Sequence, residues 1–96
     1  MVDFAGRLPL SLGTVVATPG ALEAFKTANE IPLQLLIRHS RGDWGDVCEE
    51  DRAANDEAVR EGYRVLSSYK LSNGEKIWII TEWDRSVTTL LLPSEY

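Results

Sequence analysis

Residues 76–92 read KIWIITEWDRSVTTLLL, the densest run of β-branched and aromatic residues in the chain. Just ahead of it stands Asn73-Gly74, a pair that favours a two-residue type I′ hairpin because both central positions need positive φ. With that turn, Leu71 faces Lys76, Tyr69 faces Trp78, Ser67 faces Ile80 and Leu66 faces Thr81. Strand Tyr63–Leu71 then pairs with strand Lys76–Trp83, and Asp84-Arg85 reverses the chain into Val87–Leu92. The C-terminal half therefore reads as an antiparallel meander.

Strand alternation sorts the meander into two faces. One carries Leu66, Ile77, Ile79, Leu90 and Leu92, with Thr81 and Thr88 toward one end. It is aliphatic and suits helix packing. The other carries Tyr63, Val65, Tyr69, Trp78, Ile80 and Leu91. That aromatic face is either a partner surface or a face covered by the N-terminal segment or a second copy of the chain.

Working outward, Leu12–Ala17 is a short strand candidate and Met1–Leu10 an irregular lead-in. Thr18-Pro19 marks a helix start, with Thr at the N-cap and Pro at the first helical position. That helix runs Pro19–Ala28 and stops at Asn29. Pro32 opens a short helix through Ile37, and Arg38–Gly45 is a loop punctuated by two glycines. Asp46-x-x-Glu49 reads as a capping box for a helix over Val47–Glu61, which ends at Gly62. Pro93 ends the last strand. Helices first and strands later predict an α+β domain, with two or three helices packed on an antiparallel sheet of three to four strands.

The chain has 96 residues, a size for one domain, with a net charge of −5. That charge disfavours a general nucleic-acid binder, whose affinity rests on Lys and Arg meeting phosphates. The single cysteine, Cys48, forms no intrachain disulfide. With no signal-peptide pattern and no apolar run long enough to span a bilayer, the expected setting is cytoplasmic.

Three motifs carry a family resemblance: Val15-Val16-Ala17-Thr18-Pro19-Gly20-Ala21-Leu22, Arg38-His39-x-x-Gly42-Asp43-Trp44-Gly45, and Ile77-Trp78-Ile79-Ile80-Thr81-Glu82-x-Asp84-Arg85-Ser86-x-Thr88-Thr89. The chain resembles a family of small, uncharacterised bacterial proteins carried on plasmids and other mobile elements. Trp83 departs from the small residue associated with its position. Some members of that family are labelled type I restriction methyltransferase subunits. This sequence lacks both the Gly-rich cofactor turn and the Asn/Asp-Pro-Pro-aromatic segment such chemistry needs. The resemblance implies no cofactor and no reaction. At the level of shape alone, helices followed by a meander are similar to barnase- and RelE-like ribonucleases.

Three functional expectations follow. The leading one is a non-enzymatic accessory protein of mobile elements that binds a protein partner. Its candidate contacts are Trp44, the acids Glu50, Asp51 and Glu57, and the aromatic residues Tyr69 and Trp78. The segment Asp43–Glu61 holds eight acids against Arg52 and Arg60, a net −6, which would mimic the phosphates of DNA to a basic partner. The competing reading of that segment is a solvated helix with internal pairs Glu49–Arg52, Glu57–Arg60 and Arg52–Asp56.

The alternatives are a metal-independent ribonuclease and a structural homodimer joined through the aromatic face. In the ribonuclease, His39 and Glu82 serve as the acid and base on the RNA, Arg85 (or Arg38 or Arg64) stabilises the phosphate, and Thr88 orients it. The competing reading has His39 and Asp43 bonding their loop and Arg85 pairing with Glu82 or Asp84. A metal site would need His39, Asp43, Asp46 and Cys48, which lack the paired spacing of known sites.

Overall fold

Thr18 starts the first helix by accepting the Ala21 amide on its hydroxyl at 3.1 Å, and Pro19, which has no N–H, removes one of the first turn's unsatisfied donors. The computed structural model describes residues 10–96, so the lead-in expected over Met1–Leu10 falls almost wholly outside the described residues. In chain order the elements are β1 (Thr14–Ala17), α1 (Pro19–Ala28), α2 (Pro32–Ser40), α3 (Glu49–Glu61), β2 (Val65–Lys70), β3 (Lys76–Thr81) and β4 (Val87–Leu91), followed by a 3₁₀ turn at Pro93–Glu95. This is the expected α+β class. The sheet is mixed, however: its order is β1-β4-β3-β2, with β1 parallel to β4 and the remaining pairs antiparallel.

α1 ends at Asn29, which turns left-handed at φ 57°, and α3 ends at Gly62 at φ 83°. Two expectations about helices fail. α2 continues through Arg38 and His39 to Ser40, so His39 sits on a helix rather than in a loop. α3 begins only at Glu49, and its N-cap is Cys48, with no side-chain cap. Asp46 forms no capping box, because its backbone amide donates to the Ser68 carbonyl at 2.6 Å and holds it against β2.

The hairpin register also differs by one residue. Val65 pairs with Thr81, Ser67 with Ile79 and Tyr69 with Ile77. The loop holds three residues, Ser72-Asn73-Gly74, closed by the Leu71 amide on the Glu75 carbonyl (2.8 Å) and the Gly74 amide on the Leu71 carbonyl (2.9 Å). Only Gly74 has positive φ, at 88°, so the turn is not type I′. A one-residue slip moves a whole strand's side chains to the other face. Val65, Ser67 and Tyr69 thus join Ile77, Ile79, Thr81, Thr88 and Leu90 toward the helices, while Leu66 joins Trp78, Ile80 and Leu91.

The core has two clusters. Ala21, Ala24 and Phe25 of α1 and Leu35 of α2 pack on Tyr69, Ile77, Ile79 and Leu90. Nearer α3, Ala58 packs with Trp44, Leu10 and Val65. On the opposite face, Trp78 meets the Tyr96 ring edge-on at 5.7 Å, so the C-terminal turn covers part of the aromatic side.

Candidate functional site

His39 is fully buried where the two clusters meet, with the Trp44 ring edge-on at 5.7 Å. Its Nδ1 lies 2.5 Å from Ser67 Oγ and its Nε2 lies 2.8 Å from Thr81 Oγ1. Thr81 Oγ1 is 2.7 Å from Thr88 Oγ1, which donates to the Leu12 carbonyl at 2.7 Å. The chain of hydrogen bonds runs from α2 across β2, β3 and β4 to the segment before β1.

The carbonyl at one end fixes every proton in this chain. Leu12 can only accept, so Thr88 spends its one hydroxyl hydrogen there. Thr81 must then donate to Thr88, and His39 Nε2–H must donate to Thr81. A neutral imidazole has no second hydrogen, so Nδ1 accepts from Ser67. The network assigns the Nε2–H tautomer. Burial, and secondarily the positive charge of Arg85, lower the His39 pKa from 6.5 to about 4. All side-chain polar atoms buried among the described residues are hydrogen-bonded.

The structure therefore brings His39 and Thr88 together, through Thr81, but in an interior with no exposed ring edge. A general acid or base must reach a substrate, and His39 as placed reaches only Ser67 and Thr81. The other residues of the ribonuclease constellation point elsewhere. Arg85, in a left-handed turn at φ 61°, donates to the carbonyls of Tyr63 (2.7 Å), Glu82 (3.1 Å) and Ala58 (2.8 Å). Its guanidinium thereby bonds one carbonyl in the last turn of α3, that of Ala58, where a cation is favoured. It pairs with neither Glu82 nor Asp84; Asp84 is taken by Ser86. Glu82 is half-buried, and its backbone closes the β3–β4 turn on Val87. Arg38 pairs with Asp43 at 2.6 Å and stacks 4.7 Å above Tyr69, while Arg64 donates to the Tyr96 hydroxyl.

Two of the candidate partner contacts are interior residues. Trp44 is 1% exposed and donates from Nε1 to Asp56, tying the loop to α3. Tyr69 is 2% exposed and donates to the Asp43 carbonyl at 2.6 Å; burial pushes its phenol up to about 12. Neither offers a surface to a partner. Gly45 makes this possible: at φ 75°, a Cβ there would collide with the Ser68 carbonyl and the Tyr69 ring. Trp78 is half-buried against Tyr96.

The acids of α3 stand outside. Glu49, Glu50, Asp51, Asp56, Glu57 and Glu61 are all exposed. Of the expected internal pairs only Glu49–Arg52 forms, at 3.8 Å; Arg60 turns to the Asp56 carbonyl instead. The helix carrying them is pinned from beneath: Asn55 bonds both backbone groups of Leu66, and Ala58 is buried in the core.

Among the described residues no group of His, Cys, Asp and Glu is arranged to hold a metal ion. None of the described helices is long and apolar enough to cross a membrane. Sequence reasoning passed over Ser67, Thr81 and Asn55. Their signal was polarity at inward positions: Ser67 between Val65 and Tyr69, Thr81 following Ile77 and Ile79, and Asn55 three residues before Ala58. A scan against protein-family models, a search of curated proteins and a search of solved structures find no match to this chain.

Proposed function

We propose that this chain is a non-enzymatic accessory protein acting as a protein-binding module, and that it presents the acidic face of α3 to a basic surface on its partner. The mobile-element setting implied by the sequence motifs is part of the proposal. The observation that carries it is the uncompensated charge on a rigidly held helix. α3 itself carries six acids against Arg52 and Arg60, a net −4 of the chain's −5, while Asp43, ahead of the helix, is paired with Arg38. Glu50, Asp51 and Glu57 are exposed, and among the described residues none of them forms an ion pair. Such a concentrated field steers a positively charged surface toward it and fixes orientation more than it adds affinity. The closed environment of His39 favours this reading over acid–base chemistry.

The test uses the intact chain as bait in affinity capture, beside a variant carrying Glu50→Gln, Asp51→Asn and Glu57→Gln. The expected result is a basic protein retained by the wild type, released by salt and displaced by added duplex DNA, and lost with the triple variant. Equal recovery on both baits would overturn the reading, provided both have the same circular dichroism spectrum.

A further inference from the structure

The two edges of the sheet are finished differently. Along β2, the Asn55 amide takes the N–H and C=O of Leu66, and Trp44 and Asp46 take those of Ser68. That edge is closed by its own chain. Along β1, the Thr14 amide donates to Ser86 and the Thr18 amide to Leu90, both at 3.0 Å. Strand alternation turns Val16 to β4 as well and leaves the N–H and C=O of Val15 and Ala17 facing outward. Among the described residues nothing pairs with them. Thr14–Ala17 holds no charge and no proline to guard this edge, and Val15 and Val16 are 43% and 44% exposed.

Beside this edge lies an apolar groove of about 540 Å³ between β1 and α2, lined by Leu10, Leu12, Val15, Leu33, Leu36 and Ile37. Leu33 and Ile37, one turn apart on α2, are 57% and 41% exposed. Among the described residues no charged side chain lines the groove.

We infer that the β1 edge is a self-association surface: two copies of this chain pair β1 with β1 antiparallel about a two-fold axis through Val16, making one eight-stranded sheet. The strand is complementary to itself. Val15 of one copy lies opposite Ala17 of the other, and each such pair exchanges two backbone hydrogen bonds. Val16 then faces Val16 as a non-hydrogen-bonded pair. Val15 and Ala17 share the helix side of the sheet with Thr88 and Leu90, so the grooves of the two copies meet across the axis.

The charge distribution favours a second copy of the same chain. An acidic protein resists self-association only where the acids come near each other. α3 flanks β2, at the opposite edge of the sheet from β1. In the eight-stranded sheet the two β2 strands stand seven strand spacings apart, about 33 Å, several times the screening length of roughly 8 Å at physiological salt. The interface joins edges whose described residues, Thr14–Ala17, carry no charge, and leaves both acidic helices at the outer ends. The dimer is therefore bivalent for a basic partner, and the inference stands independently of what α3 binds.

The test starts in a Cys48→Ser background, which removes the exposed native thiol. Sedimentation should show twice the chain mass. Val15→Pro should return the protein to a monomer with its circular dichroism unchanged, because the lost N–H points away from β4. If Val15→Pro unfolds the chain, Val16→Lys replaces it, since like charges directly opposite break the pair. Val16→Cys should lock the dimer on mild oxidation, as non-hydrogen-bonded partners sit about 4.5 Å apart at Cα, within disulfide range. A wild type that is monomeric up to its solubility limit would overturn the inference. So would a dimer that survives the edge variants and that Val16→Cys does not cross-link.

Discussion

The side-chain amide of Asn55 stands in for a strand beyond β2: its Nδ2 donates to the Leu66 carbonyl at 2.8 Å and its Oδ1 accepts the Leu66 amide at 3.2 Å. The pairing does two jobs. It closes a sheet edge against other chains, and it fixes the height of α3 on the sheet, so that the acids of α3 face outward.

Asn55→Asp tests this without changing size. The carboxylate keeps an acceptor for the Leu66 amide but sets an oxygen against the Leu66 carbonyl, at a site that is 6% exposed. Losing the donor and leaving a buried carbonyl unmatched should cost about 2–3 kcal/mol. Asn55→Leu should cost a similar amount by abandoning both bonds. Urea denaturation midpoints measure it. A change within about 0.5 kcal/mol, as for an ordinary surface site, would mean the amide is not holding the edge.

Gly74 provides a test of the hairpin that is free of packing. It stands at φ 88°, and an added Cβ would meet nothing within 4 Å. Any cost of substitution is therefore backbone strain. Gly74→Val should lose about 1–2 kcal/mol or more, since a β-branched residue resists the left-handed region, whereas Gly74→Asn should lose little because Asn tolerates that conformation. Equal thermal midpoints for the two variants would contradict a left-handed residue in the loop.

The same loop shows where the sequence was legible and where it was not. Asn73-Gly74 marked the hairpin correctly, but a two-residue and a three-residue loop use the same dipeptide. Choosing the shorter one put Val65, Ser67 and Tyr69 on the wrong face, and with them went the inward position of Tyr69. β3 and β4 were sorted correctly because a turn at Asp84-Arg85 sets Thr81 against Thr88, the register observed. Cap chemistry was local and readable at Thr18, Asn29 and Gly62. At Asp46 it was not, because a long-range bond to Ser68 won over the local box. The polarity of Arg38-His39-Ser40 read as loop, yet α2 runs on through it, since His39 is satisfied by hydroxyls on strands distant in sequence. The pairing of β1 with β4 rests on partners more than seventy residues apart, such as Thr14 and Val87, and nothing local announces it. The acids of the candidate site were legible because exposed charge needs no partner to be read; the interior role of Trp44 was not.

His39 offers the sharpest test of how this interior is closed. In the unfolded chain its imidazole titrates at its ordinary value of 6.5, and in the folded chain at about 4. Between these values the unfolded state binds more protons, so stability rises with pH across the window. The contribution is complete above 6.5 and is lost as pH falls toward 4, with a size on the order of 3 kcal/mol. Carboxylates add their own acid dependence, so the comparison is with His39→Gln, which keeps the carboxylates and removes the imidazole. The wild type should lose more stability than His39→Gln between neutrality and about pH 4. The His39 ring resonances should titrate near that same value, and Arg85→Gln should raise the midpoint by removing a neighbouring positive charge. Ser67→Ala should destabilise the fold by about 1–3 kcal/mol, because Nδ1 is left buried without its donor. An imidazole midpoint at the ordinary 6.5 would mean that water reaches the ring, and would return His39 to the acid–base role that its burial now denies it.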